Sequence, residues 1–429
     1  MKSRTQWLAG ISWLLLCSSL AHAQGHRHHP LVDGEFDPGM EGPEYREVLE
    51  RLEARGQLSI LKSGTLQPIL AFGKRNLEWL DVINRARPDG QKLELSTAAT
   101  QVGYPIDSPS ESNATLVLAK YNALRSEMPA TLLAVLDSSA PLSAALPVDD
   151  ATYLGFARRA DRVYQQASRW LLEEPFLFQY VSQSRRDIRG YYSLAKEADL
   201  DRKLTDWNSL DVATRDRLTP WLIGQCRNQG NLPPQCTSEF TLSVQHEGNA
   251  KAFFQKYLGV AKRTYDSFFA IQGARTNLSW TATDPNVMHY PFESPASAEI
   301  QSWLKDNIED EWRVGAWNLR LEFQPSHSSP ASTTHVVFVA GATPHVNGLG
   351  GSEITMDANR NIQEYTSRWT IRHEFGHTMG FPDCYLEFYD EDREVMIQYQ
   401  LDVDNLMCSR RGHLHQIHFD ELKKSYFQN

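Results

Sequence analysis

Residues 373–385 read HEFGHTMGFPDCY, and few chain paths satisfy that stretch. Ile371, Phe375 and Met379 recur every four residues, an apolar stripe that predicts a helix over about 366–379. His373 and His377 share that spacing but are offset by two positions, which puts them on nearly the opposite face. One face is expected against a core and the other toward a cleft. Gly380 stands where the helix should end, because glycine adopts the left-handed conformation of a helix terminus without steric penalty. Pro382 keeps the helix from resuming, so the chain turns back and brings Asp383 toward the histidines.

Histidines at i and i+4 are neighbours on a helix surface, so their imidazoles can converge on one zinc ion at about 2.0 to 2.1 Å. Glu374 is turned away from joint ligation but within reach of a metal-bound water, the position of a general base. Asp383 is then the third protein ligand, and a fourth position stays open, as in catalytic rather than structural zinc sites. Two imidazoles and a carboxylate favour zinc, although cobalt or manganese accepts the same ligands. The rival reading is a satisfied histidine pair or a structural zinc, in which Glu374 would have no purpose.

The remainder of the 429 residues bounds the setting, being long enough for two domains. Lys and Arg total 43 against 53 Asp and Glu, a net charge of -10 with no basic cluster, which excludes nucleic acid as a partner. Lys2 and Arg4, the apolar run at Leu14, Leu15 and Leu16, and Ala21-His22-Ala23 have the pattern of a signal peptide over residues 1–23. That run is shorter than the roughly 20 residues a membrane span requires. A secreted or periplasmic location without stable membrane insertion follows. Four cysteines remain after the signal: Cys226, Cys236, Cys384 and Cys408. An even count in an exported chain implies disulfides, and of three pairings nearness favours Cys226 with Cys236 and Cys384 with Cys408.

Residues 24–225 are expected to be helical, on the apolar spacing of EYREVLERLEA, NATLVLAKYNALRSEM and ATYLGFARRADRVYQQASRWLLEEPFLFQYV. This region is either a removed propeptide or a retained domain. Its arginine and aromatic residues between 158 and 192 read as a helix face and core rather than as a binding patch. Residues 237–429 are expected to form the catalytic domain. EFTLSVQ, TYDSFFAIQ, AWNLRLEF, THVVFVAG and SEITMD read as strands, and SPASAEIQSWLKDNIEDEWR as a helix capped by Ser294 or Ser297. The fold class is α+β, a helical N-terminal region followed by a domain with a mixed twisted sheet and an active-site helix.

The pattern His373-Glu374-x-x-His377-x-x-Gly380-x-x-Asp383 resembles the extended zinc motif of the metzincin metalloproteases, with aspartate as the last ligand as in the snapalysin group. Asn405-Leu406-Met407-Cys408 resembles that family's methionine turn, which implies that Met407 lies beneath the metal. The resemblance covers about residues 334–420. It implies a secreted zinc-dependent endopeptidase in which Glu374 deprotonates a zinc-bound water that attacks a peptide carbonyl. It also implies that the strand near Ser352 to Met356, or the VNGLGG loop before it, is the edge to which an extended peptide substrate pairs. Tyr385, Tyr389, Tyr399, Arg410 and His413 are all candidates for stabilising the oxyanion, and the sequence does not choose between them. Two alternatives stand beside this reading: a zinc hydrolase acting on a non-protein amide such as peptidoglycan, and a non-catalytic secreted binding protein with a structural zinc. HLHQIH, with His413, His415 and His418, is expected to border the cleft or solvent rather than to hold a second metal.

Overall fold

The computed structural model describes residues 65–278, 280–326 and 332–428, with Arg46, Glu50 and Ala54 further upstream. The expected signal peptide over residues 1–23 and most of the EYREVLERLEA helix lie outside the described residues. Helices and short strands alternate unevenly along the chain, in an α+β arrangement.

The first layer is helical. Helices Gln67–Arg85, Ala114–Glu127, Ala130–Leu136 and Asp150–Glu173 share a core that includes Ile69, Trp79, Val117 and Leu132. In the long helix Asp150–Glu173, the Asp149 carboxylate accepts the Thr152 amide at 2.9 Å and so satisfies a first-turn donor. Tyr153, Ala157, Ala160, Tyr164, Ala167 and Leu171 are buried at alternating spacings of four and three, the signature of an amphipathic helix on a core. Its opposite face carries arginine and glutamine.

A second helical cluster holds Val212–Arg227, Pro233–Phe240 and Ala250–Ser267, and the Cys226–Cys236 disulfide joins the first two of these helices. The strands expected at EFTLSVQ and TYDSFFAIQ are not formed. Residues 241–246 continue the helix from Pro233 as a wide π-helical turn, and Ala250–Ser267 is α-helical. Burial shows why. Phe240 and Val244, four apart, are 1% and 0% exposed, whereas Leu242 between them is 61% exposed. A strand would have put all three on one face, so the alternating pattern of the sequence was accidental.

The third layer contains the strands β2 (Val287–Glu293), β3 (Arg313–Val314), β4 (Trp317–Gln324), β5 (His335–Val339), β6 (His345–Val346) and β7 (Glu353–Asp357). β2 runs parallel to β4 and β5 parallel to β7, while β3 and β6 pair antiparallel on the outside. A bridge from Phe292 to Thr334 links β2 to the start of β5, so the six strands form one mixed array in the order β3-β4-β2-β5-β7-β6. In β2, Met288, Tyr290 and Phe292 are fully buried on one face beneath the helix Tyr365–Thr378. β5 is half-buried rather than enclosed, with Val339 50% exposed. The helix Ala298–Leu304 starts at Ser297, whose hydroxyl accepts from the Glu299 and Ile300 amides.

A separate antiparallel sheet joins the two ends of the chain: β1 (Ser110–Ser112) pairs with β9 (Val395–Gln400), and β9 pairs with β8 (Tyr385–Asp390). The Arg169 guanidinium donates to Gln398 at 2.6 Å and to Glu387 at 3.2 Å, and the Tyr399 hydroxyl donates to Asp187 at 3.0 Å. Ile106 and Ile188 belong to the core around the motif helix, and Met396 belongs to the N-terminal helical core. Residues before and after the expected boundary at 225–237 thus share both sheet and core.

Candidate metal centre

The helix carrying the motif spans Tyr365–Thr378. Ile371, Phe375 and Met379 are fully buried, with Phe375 edge-on to Tyr290 at 4.7 Å and to Trp312 at 5.3 Å between ring centroids. The helix ends as the glycine requires. Gly380 has φ of 86°, its amide donates to the His377 carbonyl, and the Phe381 amide donates to the Gly376 carbonyl. This pair of bonds is a Schellman closure, which caps the last carbonyls and reverses the chain.

The reversal places Asp383 against both histidines. Its Oδ1 lies 3.2 Å from His373 Nε2 and 3.6 Å from His377 Nε2, and the two Nε2 atoms are 3.1 Å apart. The other ring nitrogens are committed: His373 Nδ1 donates to the Leu406 carbonyl at 3.0 Å and His377 Nδ1 to the Phe381 carbonyl at 2.7 Å. Those bonds leave each Nε2 lone pair aimed at the common point, the orientation an imidazole ligand needs. A Glu374 carboxylate oxygen and one ring nitrogen of each histidine lie within 4.8 Å of one another. His373, Glu374 and His377 are all buried and form a group able to hold a metal ion. Burial alone would lower the His373 pKa, but the hydrogen bond and negative charge of Asp383 outweigh it and leave it raised.

The residues around the donors are tightly fixed. The Cys384–Cys408 disulfide ties the residue after Asp383 to the residue after Met407. Met407 packs under the helix so closely that a Cβ added at Gly376 would stand 2.4 Å from the Met407 sulfur. The Asn405 carboxamide oxygen accepts from the Met407 amide at 2.8 Å and from His418 Nε2 at 2.9 Å. His418 Nδ1 accepts the His415 amide, so the ring is held neutral; burial pushes its pKa down to about 4. His413 is exposed beside Glu311, and the three histidines of HLHQIH form no second metal group among the described residues.

The His373 side of the motif helix faces a cleft, and the expectations about the lining and edge of that cleft are corrected. The helix Asp150–Glu173 and strands β8 and β9 cover it, leaving a half-enclosed cavity of about 180 Å³ bordered by His373, Glu374, Tyr385 and Arg410. Of the oxyanion candidates, Tyr385 and Arg410 line this cavity. Tyr389 packs on Trp170, the Tyr399 hydroxyl is engaged with Asp187, and His413 points away. β7 has neighbours on both sides, so the exposed edge of its sheet is β6, beside which Pro344 lines the cavity. The VNGLGG loop is a brace for the motif helix, the Gly350 amide donating to the His377 carbonyl at 2.8 Å. Gly350, at φ 74°, crosses Gly273 so closely that a Cβ there would be 2.1 Å from its carbonyl oxygen.

Residues from outside the motif also reach the site. Trp369 stacks on the His373 ring with centroids 4.6 Å apart. Burial lowers the Arg186 pKa, and the negative charges of Tyr399 and Asp383 offset part of that. Arg158, Arg162 and Arg169 of the wall helix line the cavity, where the sequence reads as a helix face and core. Trp369 was the legible one, standing four residues before His373 on the same helix.

The chain matches no protein-family model, no curated protein and no solved structure. The two disulfides suit an oxidising compartment, and among the described residues no helix is long and apolar enough to cross a membrane.

Proposed function

We propose that this protein is a secreted zinc metallopeptidase, with His373, His377 and Asp383 as metal ligands and Glu374 as general base. The observation that carries the reading is the spacing of the three donor atoms, 3.1, 3.2 and 3.6 Å. Donors about 2.05 Å from a tetrahedral ion lie about 3.4 Å from one another, so the set is already close to the size of a zinc site. The bonds from His373 Nδ1 to the Leu406 carbonyl and from His377 Nδ1 to the Phe381 carbonyl, and the Met407 turn below, support the same reading and agree with the resemblance to metzincins.

Zinc, when bound, supplies a Lewis acid that lowers the pKa of water and polarises a carbonyl. Glu374 takes the proton released from the water and passes it to the leaving amine, so that one carboxylate serves both halves of the hydrolysis. Tyr385 and Arg410, on the cavity wall, are the donors placed to stabilise the developing oxyanion. The helical wall and β8–β9 exclude bulk water from these groups, which strengthens every electrostatic interaction inside.

The test is Glu374→Ala in the full chain. Retained zinc with hydrolysis of a denatured protein lost supports the assignment, and near-native turnover by the variant rejects it.

A further inference from the structure

The wall helix Asp150–Glu173 contributes Arg158, Arg162 and Arg169 to the cavity that holds His373 and Glu374. Their spacings of four and seven residues place all three on one helical face. They differ in what they already do. Arg169 is spent on Glu387 and Gln398, and Arg158 donates to the Glu94 and Leu95 carbonyls. Arg162 is exposed, lines the cavity and makes no hydrogen bond or ion pair among the described residues. The neighbouring Asp161 carboxylate is engaged by Gln165 at 2.7 Å. A chain of net charge -10 thus presents, on the lining of the cavity that also holds Glu374, a guanidinium with no partner among the described residues.

Guanidinium recognises carboxylate through paired N–H donors in a fixed plane. The volume of about 180 Å³ is below the range of roughly 300 to 1,000 Å³ usual for ligand pockets, so it suits one or two residues of an extended chain rather than a folded loop. We propose that the helical wall is the specificity element of the site, and that Arg162 binds a carboxylate of the peptide substrate while the adjacent peptide bond lies over Glu374. The carboxylate is either the C-terminal group of the peptide or an acidic side chain. The inference rests on the metallopeptidase reading for the identity of the ligand, and it makes residues 150–173 a working part of the enzyme.

Calorimetry on the zinc-loaded full chain carrying Glu374→Gln measures binding without turnover. The probes are Ala-Ala-Ala as free acid, the same peptide as its C-terminal amide, and Ala-Glu-Ala amide. A carboxylate contact of the ordinary charged kind makes an acidic probe bind about tenfold more tightly than the neutral amide. Preference for the free acid assigns the C-terminal carboxylate, and preference for Ala-Glu-Ala amide assigns the side chain. Adding Arg162→Ala should abolish the preference, and Arg162→Lys should retain part of it. Equal binding of the three probes, no binding of any, or a preference untouched by Arg162→Ala overturns the inference. The two readings fail separately. Wild-type cleavage of neutral amides as fast as of acids removes the carboxylate site and leaves the peptidase, whereas acid-selective binding without hydrolysis of any peptide by wild type does the reverse.

Discussion

The motif helix Tyr365–Thr378 and the wall helix Asp150–Glu173 border one cavity but are held in place by different means. The motif helix packs Phe375 against Tyr290 and Trp312, rests on Met407, and is bonded at its His377 carbonyl by the VNGLGG loop. Its end is fixed by a glycine stop, a disulfide and the Met407 turn. The wall helix packs its apolar stripe on the helical core and is tied to β8 and β9 through Arg169 and Trp170, but the face it turns to the site carries long side chains with several rotatable bonds. A centre that must present three donors at set distances is braced from every direction, and a surface that selects substrates is free to vary. Substitutions on the motif helix should therefore remove turnover, and those on the wall helix should change which peptides are preferred.

The largest expected effect sharpens that contrast. Glu374→Gln should lower kcat on the order of 10³-fold with little change in KM, as loss of a general base does. Arg162→Ala should instead raise KM for carboxylate-bearing peptides about tenfold and spare kcat. Steady-state kinetics on one acidic peptide reads both, and a kcat loss of similar size for the two variants would erase the distinction between the helices.

Stability effects come next. Replacing both Cys384 and Cys408 by serine opens a loop of 24 residues of sequence separation and should cost about 3 kcal/mol in the chain-entropy account. Denaturant unfolding of the variant against wild type measures it, and the loss of zinc affinity should accompany the loss of stability. The Cys226–Cys236 pair closes a separation of only 10, and its removal should leave zinc binding unchanged.

His418 supplies a dependence on pH. Its folded pKa of about 4 lies below the ordinary histidine value, so the unfolded chain takes up a proton that the folded chain refuses. The stability it contributes is full above about pH 6.5 and declines as pH falls toward 4, by on the order of 3 kcal/mol at most. Unfolding curves for wild type and His418→Gln between those limits should converge at acid pH. Parallel curves would mean that the buried ring does not govern this part of the acid response. The smallest change is Gly380→Ala, where the left-handed backbone costs about 1 to 2 kcal/mol, and the new Cβ would stand 2.8 Å from the Gln272 carbonyl oxygen. An unaffected unfolding midpoint would show that this helix end relaxes freely.

What could be read in advance follows the same division. His373, His377, Gly380 and Asp383 are legible because a metal and a helix stop each impose a fixed local spacing. The disulfide partners are legible from nearness in sequence, and β4 is legible from its alternation of apolar and polar residues. The arginines of the wall helix carry no such signal, since a solvated amphipathic face and a cavity wall have the same period. EFTLSVQ misled for the opposite reason, an alternation that tertiary packing overrode when Phe240 and Val244 went to a helical core. β1, three residues long, becomes a strand only because β9 offers it a partner nearly three hundred residues away.

The proposed centre needs His373, His377 and Asp383 to meet at one metal ion. The most direct measurement is elemental analysis of the purified chain beside Asp383→Ala, with circular dichroism to confirm that both are folded. About one zinc per chain in wild type and far less in the variant is the predicted result. No zinc in either protein, or undiminished zinc in Asp383→Ala, would contradict the three-ligand site.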